Sequence, residues 1–231
     1  MWACASMTAS SPGVTSGEDS GADAGSGCEP PGDAACQIDP QCGCLSDQKC
    51  DVEESGAACV KAGASVSGSL CETSTDCAAG LTCASGVCHP FCAASVAGTT
   101  CPTAASGGPV LGLCDQVYAD ASAVLQDSYC FFACTPSPNT CPSGQGCVID
   151  TVEGTNYSDC QAAGSVATGG ACATTASCAA GTTCYSDGGA PGGSCMQFCV
   201  TTADCADLGA TFQCDTTIGL ALDGVLYGLC D

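Results

Sequence analysis

The chain has 231 residues and a net charge of −22, with two basic residues, Lys49 and Lys61, no arginine and a single histidine, His89. Leu, Ile, Val and Phe together number 33, too few to offset chain entropy by apolar burial, and chains so charged and so poor in bulky apolar residues ordinarily stay disordered. The charge excludes nucleic acid and anionic membrane surfaces as partners, because both recruit basic patches.

The 27 cysteines reverse the expectation of disorder. Cysteine at this density marks a disulfide scaffold, and each bridge closing a short loop stabilises by ~2–4 kcal/mol, largely by restricting the unfolded chain. Such bridges persist in oxidising surroundings, so the chain is expected outside the cytoplasm, at the cell surface or secreted. Spacing argues against a thiolate metal store. Cys42 and Cys44 form the one Cys-x-Cys and no Cys-x-x-Cys occurs, so the usual zinc and iron–sulfur ligand sets are absent. Neither a cofactor nor a metal is expected.

Met1-Trp2-Ala3-Cys4 lacks the basic and apolar regions of a full signal peptide, and no run approaches the ~18 apolar residues of a membrane span. Residues 5–27 are rich in Gly, Ser, Thr and Asp and carry no periodicity, so segment 1–27 reads as a flexible, disordered tether. Cysteines from Cys28 to Cys230 number 26 and can pair completely, which leaves Cys4 as the odd one. Cys4 is either a lipid-attachment residue or a free or intermolecular thiol.

The expected disulfide framework opens with Cys28, Cys36, Cys42, Cys44, Cys50 and Cys59, and a β-hairpin is predicted between the last two around Ser55-Gly56. Cys71, Cys77, Cys83, Cys88, Cys92, Cys101 and Cys114 follow, with a hairpin predicted between Cys101 and Cys114 around Gly107-Gly108. In 115–130, DQVYADASAVLQDSYC, Val117, Ala121, Val124 and Leu125 share one face of a predicted short helix. Cys130, Cys134, Cys141, Cys147 and Cys160 come next, with a hairpin around Glu153-Gly154. Cys172, Cys178, Cys184, Cys195, Cys199, Cys205, Cys214 and Cys230 complete the set. The clearest hairpin is Cys214–Cys230, where Asp223-Gly224 divides alternating apolar residues and puts glycine where positive φ is needed. The expected fold class is small and disulfide-rich: tandem cysteine-rich repeats with short β-hairpins, long loops and little helix.

The repeats are visible in the letters. CLSDQKC (44–50) returns as CPSGQGC (141–147), CVKAGASV as CQAAGSV, and CETSTDCAAGLTC (71–83) as CATTASCAAGTTC (172–184). CHPFC (88–92) returns as CMQFC (195–199), and GLCD occurs at 112–115 and 228–231. These spacings define a tandem duplication with halves 28–114 and 115–231, and CFFAC at 130–134 points to smaller units inside them. Stretches 71–114 and 130–160 hold seven and five cysteines. Either Cys114 pairs forward, or residues 71–160 form one block of twelve; sequence carries the connectivity no further.

The Cys-x5-Cys-x5-Cys frame with DCAAGLTC resembles the N-terminal cysteine-rich modules of Dickkopf proteins. The whole chain, tether included, is similar to uncharacterised cysteine-rich lipoproteins of Gram-negative soil bacteria. That resemblance implies a surface location, with membrane contact only through a lipid on Cys4. Ala3 before Cys4 fits the lipoprotein pattern, while Met1 and Trp2 differ from it. The receptor binding of the animal modules does not carry over.

Catalysis is not expected. His89, in GVCHPFC, reads as a packed surface ring between two cysteines. No Gly-x-Ser-x-Gly, phosphate loop or dinucleotide fingerprint occurs, and the one tryptophan sits in the tail, leaving no aromatic platform for a glycosidase. The carboxylates Asp47, Asp51, Glu53 and Glu54, and Asp204 with Asp207, offer oxygen ligands for calcium but no Asp-x-Asp-x-Asp-Gly loop. A redox role for Cys42-Gly43-Cys44 lacks the positive surroundings that activate thiols. Asn156-Tyr157-Ser158 matches the glycosylation acceptor pattern and is read as chance. Two function classes remain. One is a surface-tethered or secreted structural and interaction module that binds a protein or a surface glycan. The other is a secreted inhibitor or ligand-binding protein presenting loop 185–194; weak calcium binding is a lesser alternative.

Overall fold

The structure, a computed structural model, describes residues 36–231 apart from 39, 54–55, 93–100, 102–110, 119–125, 153 and 187–191. The tether 1–27, Cys4 and Cys28 therefore lie outside the described residues. Six antiparallel hairpins follow one another. They are β1 (Gln48–Glu53) with β2 (Gly56–Lys61), β3 (Leu81–Ala84) with β4 (Val87–Pro90), and β5 (Leu111–Tyr118) with β6 (Gln126–Phe132). Then come β7 (Gln145–Val152) with β8 (Thr155–Ala162), a short β9 (Ala171–Cys172), β10 (Thr182–Tyr185) with β11 (Gly193–Cys199), and β12 (Cys214–Leu222) with β13 (Val225–Cys230). Among the described residues, helix is confined to short 3-10 turns such as Ser74–Asp76 and Thr202–Leu208. No helix among the described residues is long and apolar enough to cross a membrane.

Every hairpin carries the same clasp. Two cysteines sit directly opposite each other in the ladder: Cys50↔Cys59, Cys83↔Cys88, Cys114↔Cys130, Cys147↔Cys160, Cys184↔Cys195 and Cys214↔Cys230. In no case do they bond to each other. The first reaches back to the earliest cysteine of its unit: Cys36–Cys50, Cys71–Cys83, Cys92–Cys114, Cys134–Cys147, Cys172–Cys184 and Cys199–Cys214. The second takes a later one, which is the next in every unit but the first, where Cys42 intervenes: Cys44–Cys59, Cys77–Cys88, Cys101–Cys130, Cys141–Cys160, Cys178–Cys195 and Cys205–Cys230. Cys42 is disulfide-bonded as well. Cross-strand partners put both sulfurs on one face of the hairpin, so the arm before it is stitched across that face at two points. The loops closed are short, 11 residues for Cys77–Cys88 and 29 for Cys101–Cys130, in the range where each bridge contributes about 3 kcal/mol.

Sulfur also fills the interior. One buried cluster joins Cys92, Cys101, Cys114, Cys130, Cys134, Cys147 and Cys160 to only Val87 and Phe132. The apolar exception is Phe198, Leu222, Tyr227 and Leu229, with Ile149 packed on them, where the last two hairpins merge into one sheet through Phe198↔Leu229.

The hairpins at Glu153-Gly154 and Asp223-Gly224 stand as read. Val152 pairs Thr155, Leu222 pairs Val225, and both turn residues of the latter pair have positive φ, 49° and 81°. Between Cys50 and Cys59, Gly56 belongs to the strand and pairs Glu53; Ser55 lies outside the described residues. Ser85-Gly86 makes a further turn of this kind, φ 49° and 77°, that sequence reading passed over.

One expectation is corrected, and an open alternative is decided. The helix in 115–130 is instead strand at Leu111–Tyr118 and Gln126–Phe132, because Cys114 and Cys130 must face each other across a ladder to be clasped; residues 119–125 lie outside the described residues. The strand holding Cys114 pairs with the one holding Cys130, and the Cys101 amide donates to the Gly112 carbonyl at 2.8 Å, while the turn expected at Gly107-Gly108 lies outside the described residues. Cys114 does not pair forward. It bonds back to Cys92 while Cys101 bonds forward to Cys130, so residues 71–160 are the closed block of twelve, made of three clasps. Position 114/115 falls inside β5; counted by clasps, two sets of three run from Cys36 to Cys130 and from Cys134 to Cys230.

The second clasp of each set shows the correspondence most closely. Parallel bridges Ser65↔Cys77 and Val166↔Cys178 are equivalent, and each requires glycine just before it. A Cβ on Gly63 would lie 2.0 Å from the Asp76 carbonyl oxygen, and one on Gly164 2.1 Å from that of Ser177. Gly164→Ala is expected to destabilise by about 3 kcal/mol through this backbone collision. Gly154→Ala, at φ +80° with open space around it, should cost only the ~1 kcal/mol of a left-handed residue. Denaturation of the oxidised variants measures the difference.

Candidate functional site

Residues flanking a clasp cysteine point away from the sulfur face and meet the next hairpin. At two junctions these positions are polar and buried. In the first, Lys49 and Asp51 flank Cys50 on β1. Their side chains are 0% and 1% exposed, with Nζ 2.9 Å from Oδ2. Lys49 also donates to Ser74 Oγ at 3.0 Å and to the Leu81 carbonyl at 2.5 Å. Asp51 accepts from the Ser74 hydroxyl, from Thr82 Oγ1 at 3.3 Å and from the Val52 amide at 2.9 Å. Every partner outside β1 belongs to the second unit, so this enclosed ion pair joins the first two clasps.

In the second, His89 follows Cys88 on β4 and Asp159 precedes Cys160 on β8. His89 is not the surface ring expected from sequence. It is fully buried, stacked on Phe132 with centroids 4.6 Å apart and tilted against Tyr129 at 4.9 Å, because β6 lies over it. Its Nδ1 is 2.9 Å from the Cys130 carbonyl and therefore carries the ring proton and donates. Its Nε2 faces Asp159 Oδ2 at 3.7 Å, and the other Asp159 oxygen accepts from the Phe132 amide at 2.9 Å. Burial lowers His89 to about 4, with the Cys130 hydrogen bond opposing. Burial likewise raises Asp159 to about 8; the Phe132 amide opposes the rise and the Asp150 charge adds to it. At neutral pH the contact is thus between a neutral imidazole and a protonated carboxyl, since 3.7 Å is too long for attraction to repay the desolvation of two charges. No sequence motif marked Asp159; its place beside a hairpin cysteine was the signal available.

The other candidates have structural roles. Asp204 caps its 3-10 turn, accepting from the Val200 and Thr201 amides at 2.8 Å, and those bonds hold its carboxyl below the usual range. Asp51 is committed to Lys49, while Asp47, Glu53 and Asp207 are exposed; Glu54 lies outside the described residues. Cys44 is bonded to Cys59 rather than to Cys42. Asn156 Nδ2 donates to the Ala221 carbonyl at 2.9 Å, so the amide nitrogen of the acceptor pattern is engaged. Of loop 185–194, Tyr185 is exposed at the end of β10, and 187–191 lie outside the described residues.

An open groove of about 580 Å³ lies between the second and fourth clasps, lined by Ser65, Leu70, Glu72, Thr75, Asp76 and Ala162. Asp76 accepts from the Glu72 and Thr73 amides at 2.9 Å. Leu70, 48% exposed, is a large apolar residue there, and Val66, 66% exposed, lies next to Ser65; no described residue covers either fully.

No protein-family model matches this chain, and neither does any curated protein or solved structure. Fold and cysteine pairing define its class: it is a small disulfide-rich tandem-repeat protein, a disulfide-stabilised module that belongs in an oxidising, extracytoplasmic environment.

Replacing Lys49 by Met leaves Asp51 buried without its counter-charge and is expected to cost about 3–5 kcal/mol. The double variant Lys49→Met/Asp51→Leu should recover a large part of that loss. A double-mutant cycle by denaturant unfolding of the oxidised proteins reads both.

Proposed function

We propose that the protein is a non-catalytic interaction module, either lipid-anchored through Cys4 or secreted, that presents a face to a protein or surface-glycan partner. The observation that carries this reading is where the chemistry lies. The histidine, its facing carboxyl and one of the two lysines are sealed inside junctions, and the described cysteines are all bonded. Nucleophilic or acid–base work needs such groups in a cleft open to substrate. What the module turns outward, around the groove, is small residues, acids and the apolar Val66 and Leu70. Clasps of this kind keep loops rigid without a large apolar core, which lowers the ordering cost on binding. The secreted-inhibitor reading rests on exposed Tyr185 and the glycine-rich stretch after it.

Capture experiments from surface extracts should retain a partner on the wild-type protein. Val66→Asp should lose that partner at least about tenfold, the scale of one apolar contact at the centre of an interface, with an unchanged melting temperature. Inhibition of secreted proteases, abolished by Tyr185→Ala and untouched by Val66→Asp, would instead support the inhibitor. Intact mass of the natural protein is expected to carry a diacylglyceryl group on Cys4; an unmodified Cys4 leaves the secreted form.

A further inference from the structure

The contact between His89 and Asp159 draws on three units at once. His89 lies on β4 of the second unit, the carbonyl its Nδ1 meets is that of Cys130 on β6 of the third, and Asp159 lies on β8 of the fourth. The Phe132 amide donates across from the third unit to Asp159 of the fourth, and beside it the Cys92 amide donates to the Ser128 carbonyl at 2.9 Å within the third and the Cys134 amide to Ser158 Oγ at 3.0 Å within the fourth. His89 Nε2 and Asp159 Oδ2 are both buried, and neither has a hydrogen-bond partner among the described residues. With Nδ1 holding the ring proton, Nε2 presents a lone pair. A bare carboxylate opposite would present another, and the two would repel; a proton on the carboxyl removes that repulsion and sets a donor opposite the imidazole lone pair.

We propose that this single buried proton is a latch that holds the second, third and fourth hairpins together, and that its loss in mildly alkaline solution loosens their junction while the disulfides keep each clasp intact. The described titratable side chains around the latch are few. Tyr129 on β6 lies against the imidazole, Tyr157 on β8 lies against Phe131, and Asp150 on β7 adds a negative charge that favours the protonated carboxyl. Neither lysine is a partner: Lys49 is paired with Asp51 and Lys61 ends β2.

The direction of the pH effect follows from proton counts. Folded, the pair binds one proton between about pH 4 and about pH 8, on Asp159. Unfolded, it also binds one proton from about pH 4 to 6.5, but on the histidine, and none above that. Stability from this pair is therefore level up to about pH 6.5 and falls as pH rises from there to about 8, where the folded state holds a proton the unfolded state has released.

Because His89 is the only histidine, imidazole ¹⁵N NMR of the oxidised full chain reports it without ambiguity. The expected spectrum shows the Nδ1–H tautomer, no imidazolium transition near pH 6.5, and one step near pH 8. Across that step, exchange protection corrected for intrinsic rate should fall about tenfold or more at Phe132, whose amide bond crosses the junction, and stay level in the β12–β13 hairpin, as local opening requires. Asp159→Asn keeps an acceptor for the Phe132 amide and gives Nε2 a permanent donor. It should remove the step and flatten the denaturation midpoint between pH 6.5 and 8. A histidine that titrates near 6.5 in the wild-type chain, a step that survives in Asp159→Asn, or protection that does not change would each overturn the latch. The wild-type titration decides the matter alone should the variant fail to fold.

Discussion

Two sulfurs brought side by side by a hairpin, and each then bonded elsewhere, are what this structure depends on. Antiparallel pairing makes Cys50 face Cys59, Cys83 face Cys88, and so on through Cys214 and Cys230. A bond between facing partners would only fasten a hairpin to itself. Bonding both partners to the arm before it converts two strands and a loop into a closed unit. Disulfides act mainly by removing conformations from the unfolded chain, so each unit can hold with almost no apolar burial. The clusters around Cys130 and around Cys178 are mostly sulfur for that reason.

Clasps alone would give beads on a string. What sets one bead against the next is a different set of contacts, made on the strand faces turned away from sulfur. Between the first and second units it is the Lys49–Asp51 pair with Ser74, Thr82 and the Leu81 carbonyl. Among the second, third and fourth it is His89, Asp159, Phe132 and Tyr129. Between the fifth and sixth, ordinary apolar packing takes over through Phe198, Tyr227 and Leu229, with Ile149 of the fourth against them. A chain with so few bulky residues places one of its two lysines and its one histidine inside. Buried polar groups tolerate only partners in the right place, so they orient neighbours where apolar surface is too scarce to do so. The exposed surface is left acidic, which favours solubility.

Repetition also explains the backbone. Gly63 and Gly164 sit where a strand runs against the carbonyl end of a 3-10 turn too closely for any side chain. Gly80 and Gly181, from the shared Cys-Ala-Ala-Gly, take the same positive φ, 81° and 82°, and their carbonyls accept from the amides of Phe91 and Phe198. These matching letters record a shared geometry, whereas the two GLCD stretches do not: Cys114 is the third cysteine of its clasp and Cys230 the fourth of its own.

Cysteine density, low bulky-apolar content, the Gly-containing turns and the repeated spacings were all local properties of the chain. They determined by themselves that it is a disulfide-rich series of hairpins in an oxidising setting. The pairing of Cys101 across to Cys130, the conversion of 115–118 and 126–130 from a helical pattern to strand, and the burial of His89 against Asp159, 70 residues further on, were decided by tertiary structure alone. The reason is physical. A bond between distant sulfurs, or a proton between distant side chains, depends on which faces the folded hairpins turn toward one another, and no window of sequence contains both partners.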